Sequence, residues 1–315
     1  MDEQELQQIG TPQKSEGLLY HYTDQNGLLG IVESQAFRAT DIRFLNDTEE
    51  FEHGLRTAIR MAKQASAEAG EAGQKVVNYL EDNLRFSFSK QPVFSVSLTG
   101  SLKEYEKLPD SIDDPGDRLN MWRSYSGSGN GYSIGIPKEV TEYEIDIKRV
   151  DRQECSYPQD TKEEYLTEVL NRFGDLLNEC NREAIEKTKR GIPYNRAMDE
   201  MRNELNAGFD EILPDLEVQI AACKHEGFWE EREWRLTVAL SSDDKRVFHT
   251  SGRFGITPRV YFKLRGPDGL LPMRRIVVGP CPHKAEALES LKGLLIQHGY
   301  SRVALSSSQI PYRNW

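Results

Sequence analysis

The apolar and polar positions of "LLYHYT" (18–23) alternate with a period of two. That pattern predicts a strand with Leu19, His21 and Thr23 on one face and Tyr20 and Tyr22 on the other. "GLLGIVES" then reads as a short helix, and "FRATDIRFLN" as strand-like and then irregular. "DTEEFEHGLRTAIRMAKQASAEA" predicts a helix whose start carries a capping box, with Asp47 as the cap and Glu50 three residues on. A second helical stretch follows at "QKVVNYLEDNLRF". "PVFSVSLT" alternates again: Val93, Ser95 and Ser97 share one face, and Phe94, Val96 and Leu98 the other. A polar, proline-bearing loop ("SLKEYEKLPDSIDDPGD") precedes one or two helical turns at "RLNMWRSYS". After the turn "GSGNG", two strands are expected at "YSIGI" and "YEIDIKRV".

The pattern then changes. Residues 158–226 are rich in Glu, Asn, Arg and Leu, and predict two or three amphipathic helices. Strands return at "REWRLTVAL", "RVFHT" and "RVYFKL", and the tail reads strand, helix, strand. The expected class is α+β: a mixed-sheet core in two parts (18–157 and 227–315), interrupted by a helical insertion (158–226) and preceded by a flexible leader (1–17).

Composition narrows the picture. The 315 residues carry a net charge of -11, which opposes loose, non-specific binding to a phosphate backbone or an anionic membrane. No apolar run approaches the roughly 20 residues that a bilayer needs. The acidic, polar start does not read as a signal peptide, so a cytoplasmic protein is expected. Cys155, Cys180, Cys223 and Cys281 are widely spaced, with no C-x-x-C pair, and read as reduced thiols.

Several residues invite a chemical reading, and each has a plain structural one beside it. His21 ends a strand, where it can meet a ligand hydroxyl; alone, it reads as a histidine satisfied by a backbone carbonyl. In "FWEEREWRLTV", Glu231, Glu233, Arg235 and Thr237 share the face opposite Trp234, Leu236, Val238 and Leu240. They can orient sugar hydroxyls, or form a solvated strand edge with a surface ion pair worth ~0–1 kcal/mol. Trp122 and Tyr125 are three apart and can stack a flat ring or pack in a core. Ser95 and Ser97 can offer hydroxyls. Arg43, with Arg38 second, can clamp a pyrophosphate. Asp41, Asp47, Glu50 and His53 fit no recognised metal pattern, and no Walker loop or G-x-G-x-x-G is present.

Taken in order, "LLYHYT…GLLGIVES…FRATDIRFLNDTEEFEHG", "VFSVSLTG…MWRSYSGSGNGYSIGI", "FWEEREWRL" and "RRIVVGP…SSSQIPYR" resemble a widespread bacterial family known as a domain of unknown function. More weakly, the order of strand-borne histidine, helix, serine-bearing strand and late glutamate resembles the ADP-ribosyltransferase superfamily. The likeness is to its histidine branch, which holds the poly-ADP-ribose polymerases and the DNA-modifying toxins of the DarT type.

That second resemblance implies an ADP-ribosyltransferase-like core with NAD as co-substrate and no metal. His21 would hold the adenosine-side ribose, within a cofactor set that also includes Thr23. The backbone at Tyr22 would hold the nicotinamide amide, where the family has glycine. Ser95 and Ser97 would match the central serine-bearing strand, Tyr125 or Trp122 would stack on nicotinamide, and Arg43 would add a phosphate contact. Glu233 would be the catalytic glutamate, with Glu231 and Arg235 serving the acceptor. The implied function is cleavage of the nicotinamide–ribose bond with transfer of ADP-ribose to a protein or nucleic acid, or to water as an NAD glycohydrolase. Such an enzyme would be a toxin or anti-phage effector, with an antitoxin or regulatory partner. The alternatives are a non-catalytic nucleotide- or protein-binding module and, more weakly, a metal-dependent nuclease built on His21, Asp41 and Asp47.

Overall fold

The computed structural model describes residues 17–45, 48–101, 113–127, 130–139, 144–145, 150–157, 159–252 and 255–311. The expected leader and capping box (Asp47, Glu50), most of the polar loop before residue 113 and most of "YEIDIKRV" lie outside the described residues or side chains.

One mixed sheet organises the chain. Its strands are β1 (Leu18–Thr23), β2 (Phe37–Asp41), β3 (Val93–Thr99), β4 (Tyr132–Pro137), β6 (Asp151–Glu154), β7 (Glu233–Ala239), β8 (Phe248–Gly252), β9 (Gly255–Phe262), β11 (Arg275–Val278) and β12 (Ala304–Ser307). The two short strands β5 (Glu144–Ile145) and β10 (Leu264–Arg265) pair separately. The main path runs β12-β11-β4-β1-β3-β2-β9-β8, with β7 added to β3 and β6 to β7. The tail is the strand–helix–strand unit expected: α6 (Lys284–Gln297) connects β11 to β12, which pair in parallel. A parallel pair needs such a crossover.

β3 determines where a cleft can form. β7 pairs with it along its whole length, from Val93↔Ala239 to Thr99↔Glu233, and so fills one edge. The other edge is shared. β1 meets it at Tyr20↔Thr99, and β2 at Thr40↔Ser95 and Asp41↔Phe94. Among the described residues, Val96, Ser97 and Leu98 have no strand partner on that edge. The sheet therefore splits there, with β1 and β4 on one side of the gap and β2 and β9 on the other. Helix α1 (Gln25–Ser34), which links β1 to β2, is capped by Asp24 and buries Leu28, Ile31 and Val32 against the sheet. Each such side chain contributes roughly 1.5–3 kcal/mol by leaving water.

The helices build a second core. The two helical stretches expected between residues 47 and 86 form one 43-residue helix, α2 (Thr48–Lys90). The insertion forms two helices, α4 (Gln159–Lys189) and α5 (Tyr194–Ala222). Leu55, Leu80 and Phe88 of α2 join Phe173 of α4 and Phe209 and Leu216 of α5 in one apolar cluster, separate from that of the sheet. The remaining helix, α3 (Leu119–Tyr125), packs Met121 and Trp122 against Tyr20 and Tyr22. No disulfide joins the four cysteines, all of which are buried. Among the described residues, no helix is long and apolar enough to cross a membrane.

Candidate functional site

The gap in the sheet opens into a cavity of about 240 Å³. His21 stands at its wall. Its Nδ1 lies 3.0 Å from the carbonyl oxygen of Ser97, in the stretch of β3 that neither β1 nor β2 pairs. A carbonyl only accepts, so Nδ1 carries the proton and Nε2 is left as an acceptor. Burial pushes the imidazole pKa below 6.5, against the opposing pull of the Ser97 bond, so the ring is neutral at neutral pH. The ring also meets Phe37 edge-on at 5.1 Å. Ser95, further along β3, is buried, and its Oγ has no hydrogen-bond partner among the described residues. A buried hydroxyl left unpaired costs free energy that a ligand atom can recover.

The opposite wall is acidic. Glu233 opens β7, and both carboxylate oxygens are engaged. Oε1 accepts from Arg235 Nε at 2.8 Å, and Oε2 accepts from Arg235 at 3.1 Å and from Lys224 Nζ at 2.5 Å. Burial alone would raise this carboxyl, but Arg235 and Lys224 together outweigh it and hold the pKa far below the usual carboxylate range. Glu231 is less enclosed. Its Oε2 accepts from Lys224 at 2.8 Å and from the Tyr125 hydroxyl at 3.3 Å. Burial, with the two glutamates, pushes the Tyr125 phenol upward, so it stays a donor.

Sequence alternation placed Glu231 and Glu233 on one strand. Instead, Glu231 closes a 3-10 turn (Glu226–Glu231), and the chain kinks at Arg232, whose φ of 46° is left-handed. That kink, unusual for a residue with a Cβ, still brings both carboxylates to the same cavity. The expected solvated edge is not found: Glu233, Arg235 and Thr237 are all buried.

Cationic groups face the cavity from β2 and β9. Arg38 and Arg259 both line it, and neither has a carboxylate partner among the described residues. Arg38 lies across Gly30, where a Cβ would meet its guanidinium at 2.5 Å, so glycine makes room for it. Arg259 donates to Thr250 Oγ1 at 2.8 Å. Burial and then the neighbouring Arg38 lower the Arg259 pKa, as expected of two cations lacking an anion. Gly27, in the first turn of α1, borders the same space, and a Cβ there would collide with Thr23 Oγ1.

His21, Tyr22, Thr23, Ser95, Ser97, Tyr125, Glu231 and Glu233 thus border one cavity. The rings of Tyr20 and Tyr22 pack on the far side of β1 with Trp122, and Tyr22 hydrogen-bonds the Pro115 carbonyl at 2.8 Å. Three expected residues are elsewhere. Arg43 is taken up by Asp41 at 2.6 Å, away from the cavity. Trp122 is buried against Tyr22 at 4.7 Å and donates to Asp117, which is the plain packing role. Arg235 serves Glu233 rather than the open space. For the nuclease reading, Asp41 is buried in its pair with Arg43, and Asp47 lies outside the described residues. Among the described residues, no group of three or more His, Cys, Asp or Glu is placed to hold a metal. Sequence reasoning missed Lys224 and Arg259. A lysine just beyond a helix and one arginine in a strand carry no local signal; they matter through what the fold brings beside them.

The family match falls on the acidic wall and its supports. Residues 121–236 match the model of a family described as "Protein of unknown function (DUF2971)". The matched segment runs from α3, through β4 and the helical insertion, to the middle of β7, and so contains Tyr125, Lys224, Glu231 and Glu233. It supports the resemblance to a domain-of-unknown-function family. No curated protein and no solved structure matches the chain.

Proposed function

We propose that the cavity binds NAD and that the protein cleaves the nicotinamide–ribose bond, passing ADP-ribose to an acceptor. The observation that carries this reading is convergence. A neutral histidine from β1, an unpaired serine hydroxyl from β3, a tyrosine from α3 and two glutamates before and within β7 border one space. Arg38 and Arg259 supply the positive charge that a pyrophosphate needs, in place of Arg43. The enclosed volume lies just below the ~300–1,000 Å³ common for ligand pockets. It suits the nicotinamide riboside portion, with the rest of the dinucleotide outside the enclosed part.

In this reading the C1′–N bond of the nicotinamide riboside breaks with its electron pair leaving on nicotinamide. Positive charge grows on the ribose, and a fixed carboxylate stabilises it. The acceptor then bonds to C1′ and loses a proton. Glu231 is the carboxylate better placed to meet a ribose hydroxyl, because both oxygens of Glu233 are spent on Arg235 and Lys224. Glu233 then acts as a positioning residue that holds Lys224, and through it Glu231.

The same engagement of Glu233 favours a second reading, in which the cavity binds a nucleotide without chemistry. Nicotinamide release from NAD distinguishes them. The enzyme reading expects release by the wild type, sharply reduced in Glu231→Gln with NAD affinity kept. Tight NAD binding with no release, across protein, nucleic acid and water as acceptors, would leave the binding module.

A further inference from the structure

A second, separate set of cations lies where α2 meets the start of α4 and the turn after α5. His53, Arg56, Thr57 and Arg60 of α2 and Glu163 of α4 line an open pocket of about 370 Å³. Lys162 is buried behind it, with Nζ 3.0 Å from His53 Nε2. The ammonium can only donate, so Nε2 accepts and His53 keeps its proton on Nδ1. The His225 ring is 6.0 Å from that of His53. Its Nδ1 accepts from the Gly227 amide at 3.1 Å, which leaves Nε2–H as a donor.

Donors therefore outnumber acceptors here. Glu163 is committed to Arg60 at 2.7 Å, and Glu226 is exposed. Arg56 is exposed and has no carboxylate partner among the described residues. Burial, then Lys162, His225 and Arg56, push His53 below its ordinary value, with Glu226 opposing. Burial also lowers Lys162. Placing a lysine ammonium out of water with a neutral imidazole as its hydrogen-bond partner is costly, and a bound anion would offset that cost.

We propose that this pocket binds a phosphate group, held by Arg56 and the imidazole N–H of His53 over the charge of Lys162, with the His225 ring at its edge, 6.0 Å from that of His53. The phosphate can belong to a free nucleotide or to a nucleic-acid backbone. The site stands on its own geometry, whatever the sheet cavity binds. His225 follows Lys224 directly, and Lys224 holds Glu231, so the backbone joins the edge of this pocket to the acidic wall of the cavity.

The test is a titration of the full-length protein with inorganic phosphate, followed by NMR of the histidine ring protons, with sulfate-free buffer and chloride as the control. The proposal expects a saturable shift of the His53 and His225 signals and an upward move of the His53 titration. In Arg56→Glu, affinity should fall about tenfold or more, the worth of one charge-assisted contact. Arg56 is exposed, so this variant should keep its fold; His53→Gln, checked by its unfolding midpoint, is the second probe. Competition then separates the sources. Adenosine monophosphate displacing phosphate while a labelled single-stranded oligonucleotide stays unbound assigns a nucleotide; oligonucleotide binding that phosphate competes away and Arg56→Glu weakens assigns a backbone. Ring signals unmoved by phosphate in the millimolar range, or a His225 shift as large in Arg56→Glu and His53→Gln as in the wild type, would overturn the proposal. Neither result touches NAD binding in the sheet cavity, so the two readings fail separately.

Discussion

The side chain of His21 donates from Nδ1 to the carbonyl of Ser97 at 3.0 Å, at the gap where β1 and β2 part on the shared edge of β3. The bond serves structure and chemistry together. It ties β1 to β3 past their last backbone pair, and it fixes the tautomer that leaves Nε2 an acceptor toward a ligand.

His21 makes the stability of the fold depend on pH. Its folded-state pKa is depressed below the unfolded value of 6.5. The unfolded chain therefore binds the proton more readily, and this contribution to stability is full above 6.5 and is lost as pH falls from there through the lower folded-state value. Urea unfolding between pH 5 and 8 should show that loss, and His21→Asn should flatten it. An unchanged slope in the variant would assign the pH dependence to other groups.

The two glutamates should separate by stability. Glu233→Ala strands Arg235 and Lys224 in a buried site and should cost about 3–5 kcal/mol. Glu231→Gln keeps a hydrogen-bonding group at a more exposed place and should cost about 1 kcal/mol or less. Denaturant midpoints of the two variants check the order. Equal losses would mean that Glu231 is as deeply structural as Glu233.

Glu217 of α5 offers a sharper pH signature. Burial pushes this carboxyl up to about 7, and Ser87 and Arg43 pull the other way without offsetting it. Between 4.5 and about 7 the folded state holds a proton that the unfolded state gives up. Stability therefore falls as pH rises through that window. Glu217→Gln should remove the fall and stabilise the protein by about 1–3 kcal/mol at pH 8. A variant less stable than wild type at pH 8 would contradict the assignment.

Tyr125 joins α3 to Glu231 through its hydroxyl at 3.3 Å. If the enzyme reading holds, Tyr125→Phe frees Glu231 on one side and should lower kcat for nicotinamide release more than it raises KM. Tyr125→Ala, which also removes the ring, should raise KM as well. A pure KM effect in the phenylalanine variant would point to substrate contact alone.

Much of this arrangement was legible in the chain because period-two alternation assigns faces one strand at a time. It put His21 opposite Tyr20 and Tyr22, and Ser95 and Ser97 opposite Phe94 and Leu98, and the apolar clusters of the fold divide accordingly. Alternation does not say which strands are neighbours. Arg43 read as the better phosphate contact, ahead of Arg38, until the fold placed Asp41 beside it. Arg259 became visible once β9 paired with β2, at Thr40↔Arg259. Glu231 and Glu233 do border one cavity, but a left-handed Arg232, rather than a continuous strand, brings them there.

Equilibrium binding of NAD decides whether the split in the sheet is a dinucleotide site. Calorimetry on the wild type should give one saturable site per chain. Arg259→Ala and Arg38→Ala should each weaken it by about tenfold or more, and His21→Ala similarly. No binding at millimolar NAD, or binding equally tight in all three variants, would contradict the assignment of this cavity.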